Sequence, residues 1–166
     1  MSELLFNELP RPTFRWLRVN HTVSSLAGED TAVQSIAVEA NKNILSPLPV
    51  GTALLDGNYE GANKEAVHVL VEKAEGYAIN VPPKAKEVVG IRIDANARVA
   101  NRFQFIVGEG AELEVQFYVT GSGDALTNVS YLNEYDVKEA GKVVVKKVNL
   151  LPEHVQHIEH RYTKLE

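Results

Sequence analysis

Cysteine is missing altogether from the 166 residues. That absence removes disulfides, thiolate metal ligands and cysteine nucleophiles from the chemistry open to the chain. Any metal would have to be held by His, Asp or Glu. Basic residues are outnumbered, 17 Lys and Arg against 22 Asp and Glu, and they nowhere cluster. The electrostatic footprint of a nucleic-acid binder is therefore lacking. No apolar run approaches the length needed to span a bilayer. The N-terminus, MSELLFNELP, places acidic residues where a signal peptide would need a basic start and an apolar stretch. Together these absences lead to the expectation of a cytoplasmic protein that engages neither nucleic acid nor membrane. What remains, 45% hydrophobic and 23% charged residues, is ordinary globular composition, enough for one packed domain or two small modules sharing a core.

Two regions differ in their periodicity. In residues 1–75, Leu9-Pro10-Arg11-Pro12 is a proline-stiffened extended segment. The cluster Phe14-Arg15-Trp16-Leu17-Arg18 follows it, either as a docking element for a partner or as an anchor of the N-terminus on the core. Val33, Ile36, Ala37 and Ala40 fall at helical spacing with Asp30 as an available N-cap, although a strand fits so short a stretch as well. Ser46-Pro47-Leu48-Pro49-Val50-Gly51 reads as loop and Asp56-Gly57-Asn58 as turn. Between Asn63 and Glu75 a helix is expected. Ala66, Val67, Leu70, Val71 and Ala74 form its apolar stripe, His68 lies at its surface, and Gly76 is its left-handed terminus.

From Gly76 to Glu166 the period becomes two. Ile91, Ile93, Ala95, Ala97 and Val99 alternate with polar residues. The phase resumes at Phe103, Phe105 and Val107 and continues through Ala111, Leu113, Val115, Phe117 and Val119. This is the pattern of strands with one buried face, and the polar Asn101 at an inward position predicts a corner. The segments also repeat. Val107-Gly108-Glu109-Gly110-Ala111 through Val115 reappears 30 residues on as Val137-Lys138-Glu139-Ala140-Gly141 through Val145. Upstream, Val81-Pro82-Pro83-Lys84-Ala85 has the same shape at an offset of about 26, with a slip of one position. Such a period predicts a solenoid of stacked β layers, the alternative being three unrelated hairpins of a sandwich.

Several of these residues resemble a known family. Gly76-Tyr77-Ala78-Ile79-Asn80-Val81-Pro82-Pro83-Lys84 is similar to the strand that enters the β-helix of the SufB/SufD proteins of iron–sulfur cluster assembly. Asn101 through Val115 resembles the next rung of that helix, and Ala125-Leu126-Thr127-Asn128 the step that opens the one after. Leu9-Pro10 through Asn20, with Trp16 and Arg18, is a faded likeness of the family's N-terminal stretch. The likeness is closer to SufD. It implies a mainly β protein in which a mixed helical and irregular segment, 1–75, precedes the opening rungs of a SufBD-type β-helix, 76–166. It implies a non-catalytic scaffold role and partners resembling SufB and the SufC ATPase. The family's cluster-handling Cys and His lie in later rungs, so neither role is carried onto this chain. The expectation is either an N-terminal part of a longer protein or a short relative. The open end of the helix would also allow a homodimer.

The chemistry-bearing groups divide between a specific and an ordinary reading. His154, His157 and His160 with Glu159 could bind metal on a helix, but on a strand His157 faces away from the other two. No catalytic, cofactor or metal residue is assigned. Gly108-Glu109-Gly110 and Gly121-Ser122-Gly123-Asp124 read as turns, since neither precedes a helix N-terminus. Asp94, Glu112, Glu114, Glu134 and Asp136 fall on outward positions, with nothing in the spacing to pair them for acid–base work. Arg92, Arg98 and Arg102 near Asp94 could line a groove that binds or cleaves carbohydrate, the alternative function, or could decorate a solvated face.

Overall fold

Strands whose side chains alternate in polarity bury one face only, and from Gly76 onward the chain meets this by sending successive strands alternately to two facing sheets. The computed structural model describes residues 2–6, 22–27, 36–55, 59, 64–96, 99–121 and 128–166. Among these, β1 (Ser2–Phe6) and β2 (Thr22–Ala27) pair with each other antiparallel. Next come β3 (Ile36–Glu39), β4 (Leu45–Leu48) and α1 (Lys64–Lys73). The remaining strands are β5 (Gly76–Val81), β6 (Lys86–Asp94), β7 (Val99–Val107), β8 (Glu112–Thr120), β9 (Asn128–Val137), β10 (Lys142–Leu150) and β11 (Gln156–Leu165). The protein is mainly β, with two mixed sheets and, among the described residues, one helix.

The four-stranded sheet has the order β10-β8-β6-β3 and the five-stranded sheet the order β11-β9-β7-β5-β4. Within each sheet the later strands pair in parallel and in register. Val107 lies beside Val137, and Leu113 beside Val143. Val81 pairs with Val107 and Val89 with Val115, so the upstream offset is 26 throughout, without the expected slip. The turns stack as well. Lys84 N–H donates to Glu109 O at 2.9 Å and Gly110 N–H to Glu139 O at 2.9 Å. Each turn puts its third residue in the left-handed region, Lys84 at φ 62°, Gly110 at 63° and Ala140 at 54°.

The inward side chains of both sheets build one core. Ile91, Ile93, Val99, Phe103, Phe105, Leu113, Val115, Phe117 and Val119 are all buried, as their odd-numbered phase predicts. Ala97 lies outside the described residues. Phe105 stacks on its register neighbour Tyr135 at 4.8 Å between centroids, while across the two sheets Phe117 stacks on Tyr131 at 5.7 Å and meets Phe103 edge-on at 5.7 Å. Such pairs add about 0.5–1.5 kcal/mol beyond the burial of their area. Asn101 is not at a corner. It sits within β7, fully buried beside Tyr131, and its side-chain amide makes no hydrogen bond.

Four local readings are settled or corrected. Of the helix and strand both open around Ile36 the strand forms, because Ile36 and Val38 can rest their side chains on the core by pairing antiparallel with Ile93 and Ile91. Asp30 and Val33 lie outside the described residues. Ser46 to Leu48, expected as loop, belongs to β4. Proline is tolerated there because β4 is an edge strand. Gly76 is no left-handed cap but the first residue of β5, where a Cβ would come within 2.1 Å of Arg102 O, so glycine serves close approach rather than positive φ. The fourth concerns Glu134 and Arg102, expected on a solvated face and fully buried instead.

Their burial comes from the segment before β5. α1 lays Val67, Leu70 and Val71 against Leu132, with Tyr59 and Ala74 completing a second, smaller apolar cluster on the outer face of the five-stranded sheet. Beneath it Glu134 accepts from Leu54 N–H at 3.1 Å, Tyr59 O–H at 2.5 Å, Gln104 at 3.0 Å and Arg102 at 3.5 Å. Arg102 also donates to Thr52 O and, at 3.1 Å, to Val71 O near the C-terminus of α1, where a cation suits the helix dipole. Burial and the neighbouring Glu134 push the Tyr59 hydroxyl well above its usual range.

Candidate assembly face

The two ends of the sheets differ. At one edge of each stands a short antiparallel strand, β3 or β4, and at the other a long parallel one, β10 or β11; among the described residues none of the four has a neighbour beyond it. A row of unpaired N–H and C=O groups is a template for strand addition. Along the end formed by β10 and β11 the inward columns change chemistry. Val129, Tyr131, Asn133, Tyr135 and Val137 in β9 are continued by His157, Glu159, Arg161, Thr163 and Leu165 in β11. Phe117 and Val119 in β8 are continued by Lys147 and Asn149 in β10, while Leu113 and Val115 are followed by Val143 and Val145.

The polar half of this layer forms one network between the sheets. Glu159 accepts from Lys147 at 2.8 Å, Arg161 at 2.8 Å and Asn133 at 2.8 Å. Burial pushes the Glu159 carboxyl up, but hydrogen bonds from Lys147 and Arg161 outweigh it and hold the group below its usual range. The Lys147 ammonium also lies 5.1 Å from the centre of the Tyr131 ring, within cation–π reach. His157 Nδ1 is 3.1 Å from the Asn149 amide nitrogen, and its Nε2 is 3.2 Å from Tyr131 O–H and 3.3 Å from Lys147 Nζ. A neutral ring with Nε2–H donating to the tyrosine oxygen and Nδ1 accepting from Asn149 satisfies both nitrogens. A second ring proton would oppose the Asn149 amide and stand beside an ammonium. Burial and then the Lys147 charge accordingly push the His157 pKa down to about 4. With three donors on its carboxylate, drawn from β9, β10 and β11, the network ties the two sheets together.

The apolar half is open. A cleft of about 240 Å³ lies between the sheets, lined by Tyr135, Val137, Val143, Val145 and Leu165, with Arg161 on one side. On the outer surface of β10 Val144, Val148 and Leu150 are exposed, and Leu165, at the end of the inward column of β11, is exposed by 74%. Exposed apolar side chains otherwise number only Val50, Val88 and Tyr118 among the large hydrophobic residues described. Apolar exposure gathered on one margin marks an interaction surface.

The groups singled out in the sequence land apart. His154 is in the turn before β11, His157 points inward, and His160 lies buried on the opposite face, where burial pushes its pKa down. The helical arrangement that would have joined them does not arise, and among the described residues no three His, Asp or Glu side chains are grouped to hold a metal ion. Arg92 is exposed and pairs with Glu39 at 3.6 Å, whereas Arg102 is sealed under α1 and Arg98 lies outside the described residues. No surface groove therefore joins the three. Asp94 and Glu112 are exposed, Glu114 and Asp136 partly so. His68 is exposed and meets the edge of the Tyr59 ring. The segments Leu9–Asn20, Asp56–Asn58 and Ser122–Thr127 lie outside the described residues. Sequence reading missed Tyr131, Asn133, Lys147, Asn149 and Arg161. The signal was present in the inward phase, where Lys147 and Asn149 interrupt the run begun by Val143 and Val145.

Compared with known proteins, the chain matches no family model, no curated protein and no solved structure. Among the described residues no helix is long and apolar enough to cross a membrane.

Proposed function

We propose that this chain is a scaffold resembling SufD of the iron–sulfur assembly machinery, that its stacked strand pairs are the opening coils of a SufBD-type β-helix, and that it works by presenting a rigid edge to a homologous partner rather than by catalysis. The observation that carries this reading is the in-register parallel stacking of the segments around Val81, Val107 and Val137, with a left-handed residue recurring at the same turn position. Repetition at this period gives each layer the same shape, so a homologous layer fits against the last one as each fits its neighbour. The open margin at β10 and β11 is the surface so offered.

The partners this reading names are a SufB-like protein and a SufC-like ATPase. Co-expression tests it: the chain should co-purify with a SufB-like protein and, through that partner, with a SufC-like ATPase. Alone it should hydrolyse no ATP and carry no cluster. A stoichiometric cluster-type absorption spectrum from the purified chain, or failure to associate with the SufB-like protein when both are folded, overturns the reading. A glycan array separates it from carbohydrate binding, because a scaffold of this kind gives no signal there.

A further inference from the structure

We infer that residues 49–54 are a strap fastened across the outer face of the five-stranded sheet by a clamp of Arg102, Gln104 and Glu134, and that this strap opens by itself, uncovering the clamp, while both sheets stay folded. Neither the margin at β10 and β11 nor any partner is needed for this.

The clamp grips the strap by its main chain. Gln104 and Glu134 are register neighbours on β7 and β9, joined at 3.0 Å, so a donor and an acceptor stand side by side on the sheet. Thr52 O accepts from Gln104 at 3.3 Å and from Arg102, and Leu54 N–H, two residues on, donates to Glu134 at 3.1 Å. A further bond, Gly51 N–H to Val71 O at 2.6 Å, ties the strap to the end of α1. Every residue from Pro49 to Ala53 is exposed, Val50 by 49%, so this stretch brings no buried side chain to the contact.

The two covers of this face are therefore held differently. α1 buries Val67, Leu70 and Val71 with Leu132, and its departure would return apolar surface to water. The strap leaves behind polar groups, for which water supplies replacement partners, so the bonds that fasten it contribute little net stability. Arg102 and Glu134 remain beside each other at 3.5 Å, and Arg102 keeps Val71 O, so lifting the strap strands no charge. Separating the sheets would instead expose the whole apolar core. A segment with few buried contacts opens locally, well before such a core does. Gly51 shapes the shut form. Its φ is 79°, with open space where a Cβ would stand, so a larger residue there is opposed by backbone conformation alone. Gly51→Ala thus strains the shut strap and touches neither clamp nor sheet.

The test uses the full chain and its Gly51→Ala variant. Amide exchange is read by NMR with and without low urea, and phenylglyoxal modification of Arg102 is mapped by mass spectrometry. In the native chain the Leu54 amide should exchange far faster than those of β7 and β9, with no dependence on low urea, because opening exposes little surface. Gly51→Ala should speed Leu54 exchange about ten-fold and speed modification of Arg102 in step, leaving the β7 and β9 amides unchanged. If Leu54 shares the rate and urea dependence of β7, the strap belongs to the cooperative core and the inference is overturned. It is overturned as well if Gly51→Ala speeds strap and sheet alike. An Arg102 that stays inert while Leu54 exchanges freely means that the segment moves without uncovering the clamp, and this too overturns it.

Discussion

The inward columns through β7 and β8 and those ending in β10 and β11 occupy equivalent places on the backbone, yet one set is Phe, Leu and Val apart from Asn101 and the other is divided between Val and a network of Lys, Asn, His, Glu and Arg. Parallel register fixes where a side chain points but leaves open what it must be. Where strands lie on both sides a polar group is stranded, as the Asn101 amide is, whereas the polar groups of β10 and β11 meet one another between the sheets.

The largest expected effect tests the interior half of this contrast. Phe105→Ala should cost about 3–5 kcal/mol in urea unfolding, while Val145→Ala, beside the open cleft, should cost less than about 1.5 kcal/mol. Equal losses would mean the two layers are buried alike. Next come the two carboxylates, both ringed by donors but differing in exposure. Glu134→Ala should cost about 3 kcal/mol, because Arg102 is left buried and uncompensated, whereas Glu159→Ala should cost about 1–2 kcal/mol, since Lys147 and Arg161 can turn to solvent. Paired denaturation curves of the two variants decide it.

Acid should weaken the margin before the interior. His157 has a lower pKa folded, about 4, than its ordinary value of 6.5, so the unfolded chain binds more protons between these limits. The stability it contributes is complete above about pH 6.5 and is lost as the pH falls through about 4. Discounted for partial exposure, this amounts to about 1 kcal/mol. His157→Gln should flatten that slope in melting temperature against pH. The smallest effect compares two turns: Gly110 and Ala140 hold the same left-handed conformation, and Ala140→Gly should raise stability by about 0.5–1 kcal/mol. A loss on that substitution would deny the equivalence of the turns.

The strands were legible because a two-residue period survives wherever one face is buried, and the inward set from Ile91 to Val119 appears in the core as expected. The residues before β5 were less legible because tertiary context decides them. Ile36 and Val38 follow the demands of the sheet edge they join, and Gly76 answers to the Arg102 backbone across from it. Outward phase predicts solvent, which holds for Glu112 but fails for Arg102 and Glu134. A single sequence does not reveal that α1 returns to cover that face. The polar network was hidden for a related reason: its members come from β9, β10 and β11, and only the stacking brings them together.

The antiparallel strands β3 and β4 run against their neighbours at one end of the two sheets. Among the described residues the backbone direction reverses at this margin and nowhere later in either sheet, so the two borders of each sheet present their N–H and C=O groups in different order.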